Sequence, residues 1–170
     1  LRAMLKRDPR INATFIGTRS QPELAQSSSE YIATFPEDRE EAFTYDLVIL
    51  GDVDSAFFST EAFLRLEELV RERGGSLLML CGARFAPASY AGTPVERMLP
   101  IKFDPDAEWE DIDESVYPVL TPEGRSSLVM TLETDRDEND LVWSRVAPLD
   151  RVPPLLAPRP GATVLAELSD

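Results

Sequence analysis

Cys81 is the first of five side chains in this chain whose types and positions could carry out chemistry. It is the only cysteine, and it lies within the apolar run "SLLMLCGARF" at residues 76 to 85. A thiolate at the carboxyl end of a buried strand could act as a nucleophile, because open α/β sheets place their chemistry at that edge. A cysteine in an apolar run is more often a small buried core residue, so the sequence favours burial of Cys81 over catalysis.

Asp52 and Asp54 form a second candidate site in "LGDVDSAFF", directly after an apolar run. Carboxylates at the carboxyl end of a strand could accept a phosphoryl group or bind Mg²⁺. The alternative is structural: Gly51 makes the turn, and Asp52 accepts hydrogen bonds from loop amides. The sequence favours the structural alternative, because two acids beside one glycine are a very short signal.

Arg84 and Tyr90 complete the set of five candidates. Both belong to "GARFAPASYAGTP" at residues 82 to 94, a segment that we expect to form a mobile loop over the carboxyl edge of the sheet. If the protein binds a ligand at this edge, then Arg84, Tyr90 and Asp52 are the residues expected to contact it.

The composition excludes several classes of function. The chain has 170 residues and no histidine, so it cannot form a Ser-His-Asp or Cys-His arrangement or a histidine-bound zinc site. Its formal net charge of −14 argues against binding to nucleic acid, which needs a positive surface. No metal or cofactor is expected, and no segment is long and apolar enough to insert into a membrane.

The acidic segment "DPDAEWEDIDE", at residues 104 to 114, carries seven acids in eleven residues. It could bind a cation or dock a basic partner. Because the acids lack the glycine-containing spacing of an EF-hand loop, the sequence favours a solvated, extended loop.

The elements that must position the candidates alternate between strand and helix. The patterns predict strands at residues 11 to 18, 45 to 52 and 76 to 81, a helix at 60 to 73, and a final strand at 162 to 168. Strand, helix and strand within about 35 residues imply a right-handed crossover between parallel strands. The apolar strand runs do not alternate, as is usual where helices cover both faces of a sheet. We therefore predict a flavodoxin-like, doubly wound, mainly parallel sheet with three α/β/α layers.

Several further boundaries follow from capping signals. Ser59 or Thr60 can cap the central helix, and Gly74 can end it in a left-handed conformation. A short helix is expected at residues 93 to 99, and another start at Thr121 with Pro122 just inside. Three other expectations are an amphipathic helix that begins at Leu1, a polar turn at residues 135 to 140, and a packing role for Trp143 in an irregular proline-rich region.

Together, "YDLVILGD", "RERGG" and "SLLMLCGARF" resemble the core of the class I glutamine amidotransferase-like superfamily. The resemblance is closest to a branch of amidotransferase-like domains within large bacterial membrane-associated proteins, and "LTPEGR" and "RPGATVLAELSD" extend it over nearly the whole chain. Active members carry a Gly-x-Cys-x-Gly elbow that a histidine and a glutamate complete. Here Cys81 occupies the nucleophile place, but Met79 and Ala83 stand where the glycines should be. The resemblance therefore implies the fold and a catalytically degenerate domain.

The resemblance also implies partners and a setting. It predicts that residues 1 to 170 form a single amidotransferase-like domain of a longer bacterial membrane-associated protein, with a strand before the first helix and further sequence after the last strand. The expected partners are the remaining domains of the same chain or another protein. The predicted function is binding or scaffolding, and the alternative is an enzyme that works without histidine through Cys81 or the Asp52 and Asp54 pair.

Overall fold

The computed structural model describes residues 1–17, 30–152 and 157–169 of the chain. Helices and short strands alternate along these residues, and two of the strand pairs run parallel. The α/β class predicted from the sequence is confirmed at this level. Residue 18 of the predicted strand at 11 to 18 lies outside the described residues.

The described residues belong to two compact units, and each is described by itself. The first unit contains residues 1–80 and 84–98, and the second contains residues 81–83 and 99–170. The candidate residues Asp52, Asp54, Arg84 and Tyr90 lie in the first unit, whereas Cys81 lies in the second.

The first unit is built from short helices and short parallel strands. Its elements include helices α1 (Arg2–Leu5), α2 (Arg39–Ala42), α3 (Thr60–Glu68) and α4 (Pro94–Met98), and strands β1 (Phe15–Ile16), β2 (Tyr31–Ile32), β3 (Leu47–Leu50) and β4 (Ser76–Met79). Strands β1 and β2 form one parallel pair, and β3 and β4 form another. Helices α1 and α4 lie where the sequence predicts them.

Helix α3 and the π-helical turn that follows it together cover the predicted helix at residues 60 to 73. The Ser59 hydroxyl accepts a hydrogen bond from the Ala62 N–H at 3.1 Å, which satisfies one of the donors at the helix start. The helix continues as a π-helical turn at Leu69–Arg73 and stops at Gly74, whose φ of 80° is left-handed. Glycine takes this conformation without the steric penalty that a Cβ atom imposes.

The crossover from β3 through α3 to β4 has the predicted parallel pairing. Val48 lies beside Leu77 and Leu50 lies beside Met79, in a register without bulges. Both strands are shorter than predicted, with four residues each. The strands end where the pairing ends, two residues before the predicted limits of residues 52 and 81.

One side of the β3 and β4 pair is open to solvent. Leu47 and Leu78 are 47% and 45% exposed, whereas Leu50 is buried, as are Phe63 and Leu66 of α3. Leucines of a doubly wound sheet are normally covered on both faces. Among the described residues, a three-layer arrangement is therefore not established.

The second unit pairs its strands antiparallel. Its elements include strands β5 (Ile101–Lys102), β6 (Glu110–Val116), β7 (Pro118–Leu120), β8 (Leu149–Val152), β9 (Ala157–Pro158) and β10 (Ala166–Leu168), and helices α5 (Pro122–Ser126) and α6 (Arg136–Trp143). Strand β5 pairs with β9, β6 with β8, and β7 with β10. In the described residues the predicted mainly parallel pairing is thus confined to the first unit.

Two sequence predictions in this unit are wrong. The acidic segment is predicted as an extended loop, but its second half forms β6, because β8 supplies a pairing partner about 40 residues away. Residues 135 to 140 are predicted as a polar turn, but they start α6. The Asp135 carboxylate accepts hydrogen bonds from the N–H groups of Asp137 and Glu138, which caps that helix.

Helix α5 starts at Thr121 and Pro122 as predicted, and it lies very close to the chain before β10. The Thr121 hydroxyl donates to the Val164 carbonyl at 2.7 Å and accepts from the Gly124 N–H at 3.0 Å. A Cβ atom at Gly124 would lie 1.9 Å from the Leu165 carbonyl oxygen. The approach therefore requires glycine.

A turn at Leu128–Met130 presents apolar side chains to solvent. Leu128 is 89% exposed and Val129 is 81% exposed. The half-buried Trp143 at the end of α6 holds this turn, because its indole N–H donates to the Met130 carbonyl at 2.9 Å. Trp143 thus has the predicted packing role, on a helix rather than in an irregular segment.

Candidate functional site

The carboxylate of Asp52, directly after β3 and Gly51, holds the loop that follows β4. It accepts hydrogen bonds from the backbone N–H groups of Arg84 at 3.2 Å, Phe85 at 2.7 Å and Ala86 at 2.9 Å. Three donors use most of the acceptor capacity of one carboxylate. Asp52 therefore caps loop amides, which is the structural alternative that the sequence favours.

Asp54 has a separate local partner. It caps the 3₁₀ turn at Ser55–Phe57 by accepting from the Ala56 N–H at 3.0 Å. Among the described residues, no group of three or more His, Cys, Asp or Glu side chains could hold a metal ion. The Asp52 carboxylate thus accepts hydrogen bonds from amides of the loop after β4, and the Asp54 carboxylate accepts one from the turn that follows it.

Two serines add a second connection between these loops. The Ser55 N–H donates to the Ser89 hydroxyl at 3.1 Å, and the Ser55 hydroxyl donates to the Ser89 carbonyl. The loop at residues 82 to 94 is predicted to be mobile. Hydrogen bonds join residues 84–89 of this loop to Asp52 and Ser55, which follow β3. No sequence signal singled out Ser89.

Tyr90 lies in the core of the first unit. Its side chain is 0% exposed, its ring contacts Phe63 edge to face with centroids 6.0 Å apart, and its hydroxyl donates to the Val53 carbonyl at 3.0 Å. Burial, together with the charges of Asp54 and Asp52, raises the pKa of Tyr90 to about 12. The structure places this predicted ligand contact away from solvent.

Arg84 is exposed, and its guanidinium lies 5.0 Å from the centre of the Phe85 ring. The Arg84 guanidinium thus makes a cation–π contact with Phe85, and the Arg84 backbone N–H donates to Asp52. Of Asp52, Arg84 and Tyr90, which the sequence predicts to share a ligand, Arg84 presents its charge to solvent. Asp52 and Tyr90 contact backbone groups of the protein.

Cys81 is exposed, so the predicted burial among core side chains is wrong. The reason is the early end of β4 at Met79, which leaves Cys81 beyond the strand. Ala83 is also exposed. Cys81 belongs to the second unit, and Asp52, Arg84 and Tyr90 belong to the first.

A second candidate site is an apolar slot in the first unit, a cavity of about 790 Å³. Residues 11–16, which include β1, and residues 44–51, which include β3, line it together with Phe63 and Leu66 of α3. The sequence predicts both stretches as strands, but its pattern does not show which strand edges remain unpaired.

Replacing Asp52 by alanine tests its holding role. We expect the free energy of unfolding of the first unit to fall by about 2 kcal/mol, because hydrogen bonds to a charged acceptor are lost and three backbone donors remain. The amide protons of Phe85 and Ala86 should exchange with solvent at least tenfold faster. Urea denaturation and amide exchange measured by NMR would check both effects.

Asp54→Ala is the matched control for this test. It removes a cap worth about 1 kcal/mol but no bond to Phe85 or Ala86, so their exchange should stay unchanged. Unaltered exchange of these two amides in Asp52→Ala would show that the loop is held by other contacts.

The chain was compared with protein-family models, with curated proteins and with solved structures, and none of the three comparisons found a match. In residues 1–17, 30–152 and 157–169, no helix combines the length and the apolar character that a membrane span requires.

Proposed function

We propose that the chain is a non-catalytic amidotransferase-like domain that acts as a binding or scaffold module in a larger bacterial, membrane-associated protein. Its partners are the remaining domains of that protein or another protein. The proposed architecture is the flavodoxin-like, three-layer α/β/α fold of that superfamily. The resemblance of "YDLVILGD" and "SLLMLCGARF" supports the fold, and the parallel crossover between β3 and β4 is compatible with it.

The hydrogen bonds that Asp52 accepts from loop amides are the observation that best supports a non-catalytic function. Asp52 lies at the carboxyl end of β3, where open α/β sheets carry their reactive groups. Its carboxylate is occupied by three backbone amides, and Tyr90 is fully buried. The chain also has no histidine to complete a cysteine triad. These side chains stabilise loops, which supports a structural use of an edge that enzymes use for chemistry.

The alternative is a histidine-independent enzyme that uses Cys81 as its nucleophile. The exposure of Cys81 favours this alternative over an inert buried thiol, because a nucleophile must reach its substrate. Such an enzyme would need a thiolate activated by a cation, a helix amino terminus or another base. The Asp52 and Asp54 pair offers a weaker route, because each carboxylate is bound to backbone amides.

The reactivity of Cys81 distinguishes the two functions. Because the side chain is exposed, iodoacetamide should label it in the native protein. If the domain is non-catalytic, the labelling rate at pH 6 should not exceed that of a cysteine in an unstructured peptide, because no activated thiolate is then present and the ordinary thiol pKa is about 8.5. Mass spectrometry of quenched samples would give the rate, and Cys81→Ser is the control for labelling elsewhere.

The same samples should be incubated with glutamine, and release of ammonia should equal that of Cys81→Ser. Labelling far faster than the peptide at pH 6, or ammonia release that depends on Cys81, would establish the enzyme and overturn the non-catalytic function.

A further inference from the structure

The second unit exposes three aliphatic side chains that lie close together in the chain. Leu128 and Val129 are almost fully exposed, and Leu132 is 54% exposed. Single exposed apolar residues are normal on a protein surface, whereas neighbouring ones more often mark a contact with another molecule. We call Leu128, Val129 and Leu132 the apolar patch.

Helix α6 holds the backbone that carries this patch. The Trp143 indole N–H donates to the Met130 carbonyl at 2.9 Å. The side-chain oxygen of the buried Asn139 accepts hydrogen bonds from the N–H groups of Leu132 at 2.7 Å and Glu133 at 3.1 Å. A surface that is already ordered loses less conformational entropy when a partner binds to it. The apolar patch is therefore pre-organised for contact.

The backbone donors of this segment are used within the unit. The Met130 N–H donates to the Ser127 carbonyl at 3.1 Å, and the Thr131 N–H donates to the Leu128 carbonyl at 3.3 Å. With the two bonds to Asn139, the N–H groups of residues 130 to 133 all have acceptors. A partner must therefore contact the patch through side chains, as the apolar face of a helix does, and not by adding a strand.

Exposed carboxylates lie on the same segment of the chain. Residues 131 to 140 contain five acids and one cation. Three of these acids are exposed and form no ion pair among the described residues, and we call them the acidic rim: Glu133, Asp137 and Glu138. Asp140, in contrast, is already paired with Arg125 at 3.3 Å. The charge of the acidic rim is thus available to a cationic partner.

The acidic rim is close enough to the apolar patch to act on the same partner. Glu133 directly follows Leu132 in the chain. Glu138 and Trp143 lie about 8 Å apart along the axis of α6, and Trp143 is hydrogen-bonded to the turn that carries the patch. This separation is comparable to the electrostatic screening length of about 10 Å at 0.1 M salt. The carboxylates and the apolar side chains therefore form one surface.

From these observations we propose that the apolar patch and the acidic rim together bind an amphipathic helix of a partner protein, with lysine or arginine beside its apolar face. The proposal rests on the binding function proposed above and names the chemistry of the partner. A neutral apolar partner would remove the rim carboxylates from water without a compensating charge, which is costly. A second copy of this chain would bring the same carboxylates to the contact, where like charges repel. A basic partner avoids both costs.

A synthetic peptide, acetyl-KALKKLAKKLAKK-amide, tests this proposal with the intact 170-residue chain. Its leucines share one face of a helix, and its lysines flank that face. In an NMR titration it should shift the signals of Leu128, Val129 and Leu132 and reach saturation at submillimolar concentration. The control peptide acetyl-KALKLKKAKKLAK-amide has the same composition and charge, but its leucines are spread around the helix. It should bind at least tenfold more weakly.

A pair of matched variants tests the apolar patch. Leu128→Ser combined with Val129→Ser should weaken peptide binding about tenfold, because the apolar area that the peptide covers is lost. Leu1→Ser combined with Met4→Ser removes two exposed apolar side chains from the first unit and should leave the affinity unchanged. Circular dichroism and the urea midpoint should show that each variant is folded. If one is not, the two peptides still decide the question with the unaltered chain.

A second pair tests the acidic rim. Replacing its three residues by amides, as Glu133→Gln, Asp137→Asn and Glu138→Gln, should weaken binding of the first peptide about fivefold. The remaining binding should also depend less on salt concentration, because fewer charges face the lysines. The control makes the same change in net charge at three exposed acids of the first unit, Glu40, Glu41 and Glu61. It should retain most of the affinity.

Four outcomes would contradict the proposal. One is the absence of shifts at the apolar patch, and another is equal binding of the two peptides, which would indicate general attraction between opposite charges. A control at Glu40, Glu41 and Glu61 that weakens binding as much as the acidic-rim variant would indicate the same. Shifts that grow with protein concentration without peptide would assign the patch to a second copy. The labelling rate of Cys81 is measured without peptide, so a failure of this proposal is distinguishable from a failure of the non-catalytic function.

Discussion

Alanine at Gly124 is expected to lower the free energy of unfolding of the second unit by at least about 3 kcal/mol. The added Cβ atom would lie 1.9 Å from the Leu165 carbonyl oxygen and 2.9 Å from its carbon. These are backbone atoms, so the clash cannot be relieved by a side-chain rotation. The chain before β10 must move, and that movement breaks the hydrogen bond that the Thr121 hydroxyl donates to the Val164 carbonyl.

The sign of this effect is opposite to what helix propensity predicts. Gly124 lies within α5, where replacing glycine by alanine would ordinarily stabilise an exposed helix by about 1 kcal/mol. Gly51→Ala is the control, because a Cβ atom at Gly51 has no heavy atom within 4 Å. Urea denaturation should show a change within about 1 kcal/mol for Gly51→Ala. A neutral or stabilising Gly124→Ala would contradict the close approach of α5 to Leu165.

Alkaline pH is expected to destabilise the first unit through Tyr90. The pKa of this tyrosine is raised from 10.0 to about 12, so between pH 10 and 12 the unfolded chain has lost the phenolic proton and the folded chain still holds it. The contribution of Tyr90 to the free energy of unfolding is therefore fully present below pH 10, and it is lost as the pH rises to about 12. Two pKa units correspond to a loss of about 3 kcal/mol.

Tyr90→Phe isolates this contribution from the other groups that titrate at high pH. Phenylalanine keeps the contact with Phe63 but removes the phenol, at a cost of about 1 kcal/mol for the lost hydrogen bond to Val53. Urea denaturation at pH 8, 10 and 11.5 should show a steeper loss in the original protein than in the variant. Equal losses in both proteins would mean that Tyr90 ionises as it does in the unfolded chain.

The sequence predicts elements whose signals are local. The start of α3 after Ser59 and the end of its π-helical continuation at Gly74 follow from capping by adjacent residues, and the start of α5 follows from Thr121 and Pro122. The parallel pairing of β3 and β4 follows from their apolar runs and from the length of the crossover. Each of these signals involves residues within about four positions of one another or a single apolar run, so the sequence alone is enough to predict the element.

The remaining features depend on contacts between distant residues. The acidic strand β6 has a composition that disfavours strands, and its pairing with β8 overrides that preference. The start of α6 has a local capping signal, because Glu138 follows Asp135 by three residues. The segment is so polar that its composition favours a turn instead.

In the candidate site, too, the features with local sequence signals are predicted and those that depend on distant contacts are not. The role of Asp52 is predicted, because a carboxylate after a turn commonly accepts loop amides, but its donors at Phe85 and Ala86 lie more than 30 residues away. The exposure of Cys81 depends on where the pairing of β4 ends, which the apolar run does not reveal. Tyrosine is a common ligand contact, so the sequence predicts that role for Tyr90. Its burial against Phe63 depends instead on the conformation of the loop that carries it.

The turn at Leu128–Met130 has a consequence for the solubility of this protein. Leu128 and Val129 remain almost fully in water because Trp143 fixes the turn that carries them. Near neutral pH, the formal charge of −14 keeps molecules apart through mutual repulsion. This repulsion disappears near the isoelectric point of about 4.4, where the exposed leucine and valine can meet those of another molecule. Mild acid should therefore lower the solubility of the folded protein, because apolar side chains such as these two are then no longer kept apart by charge.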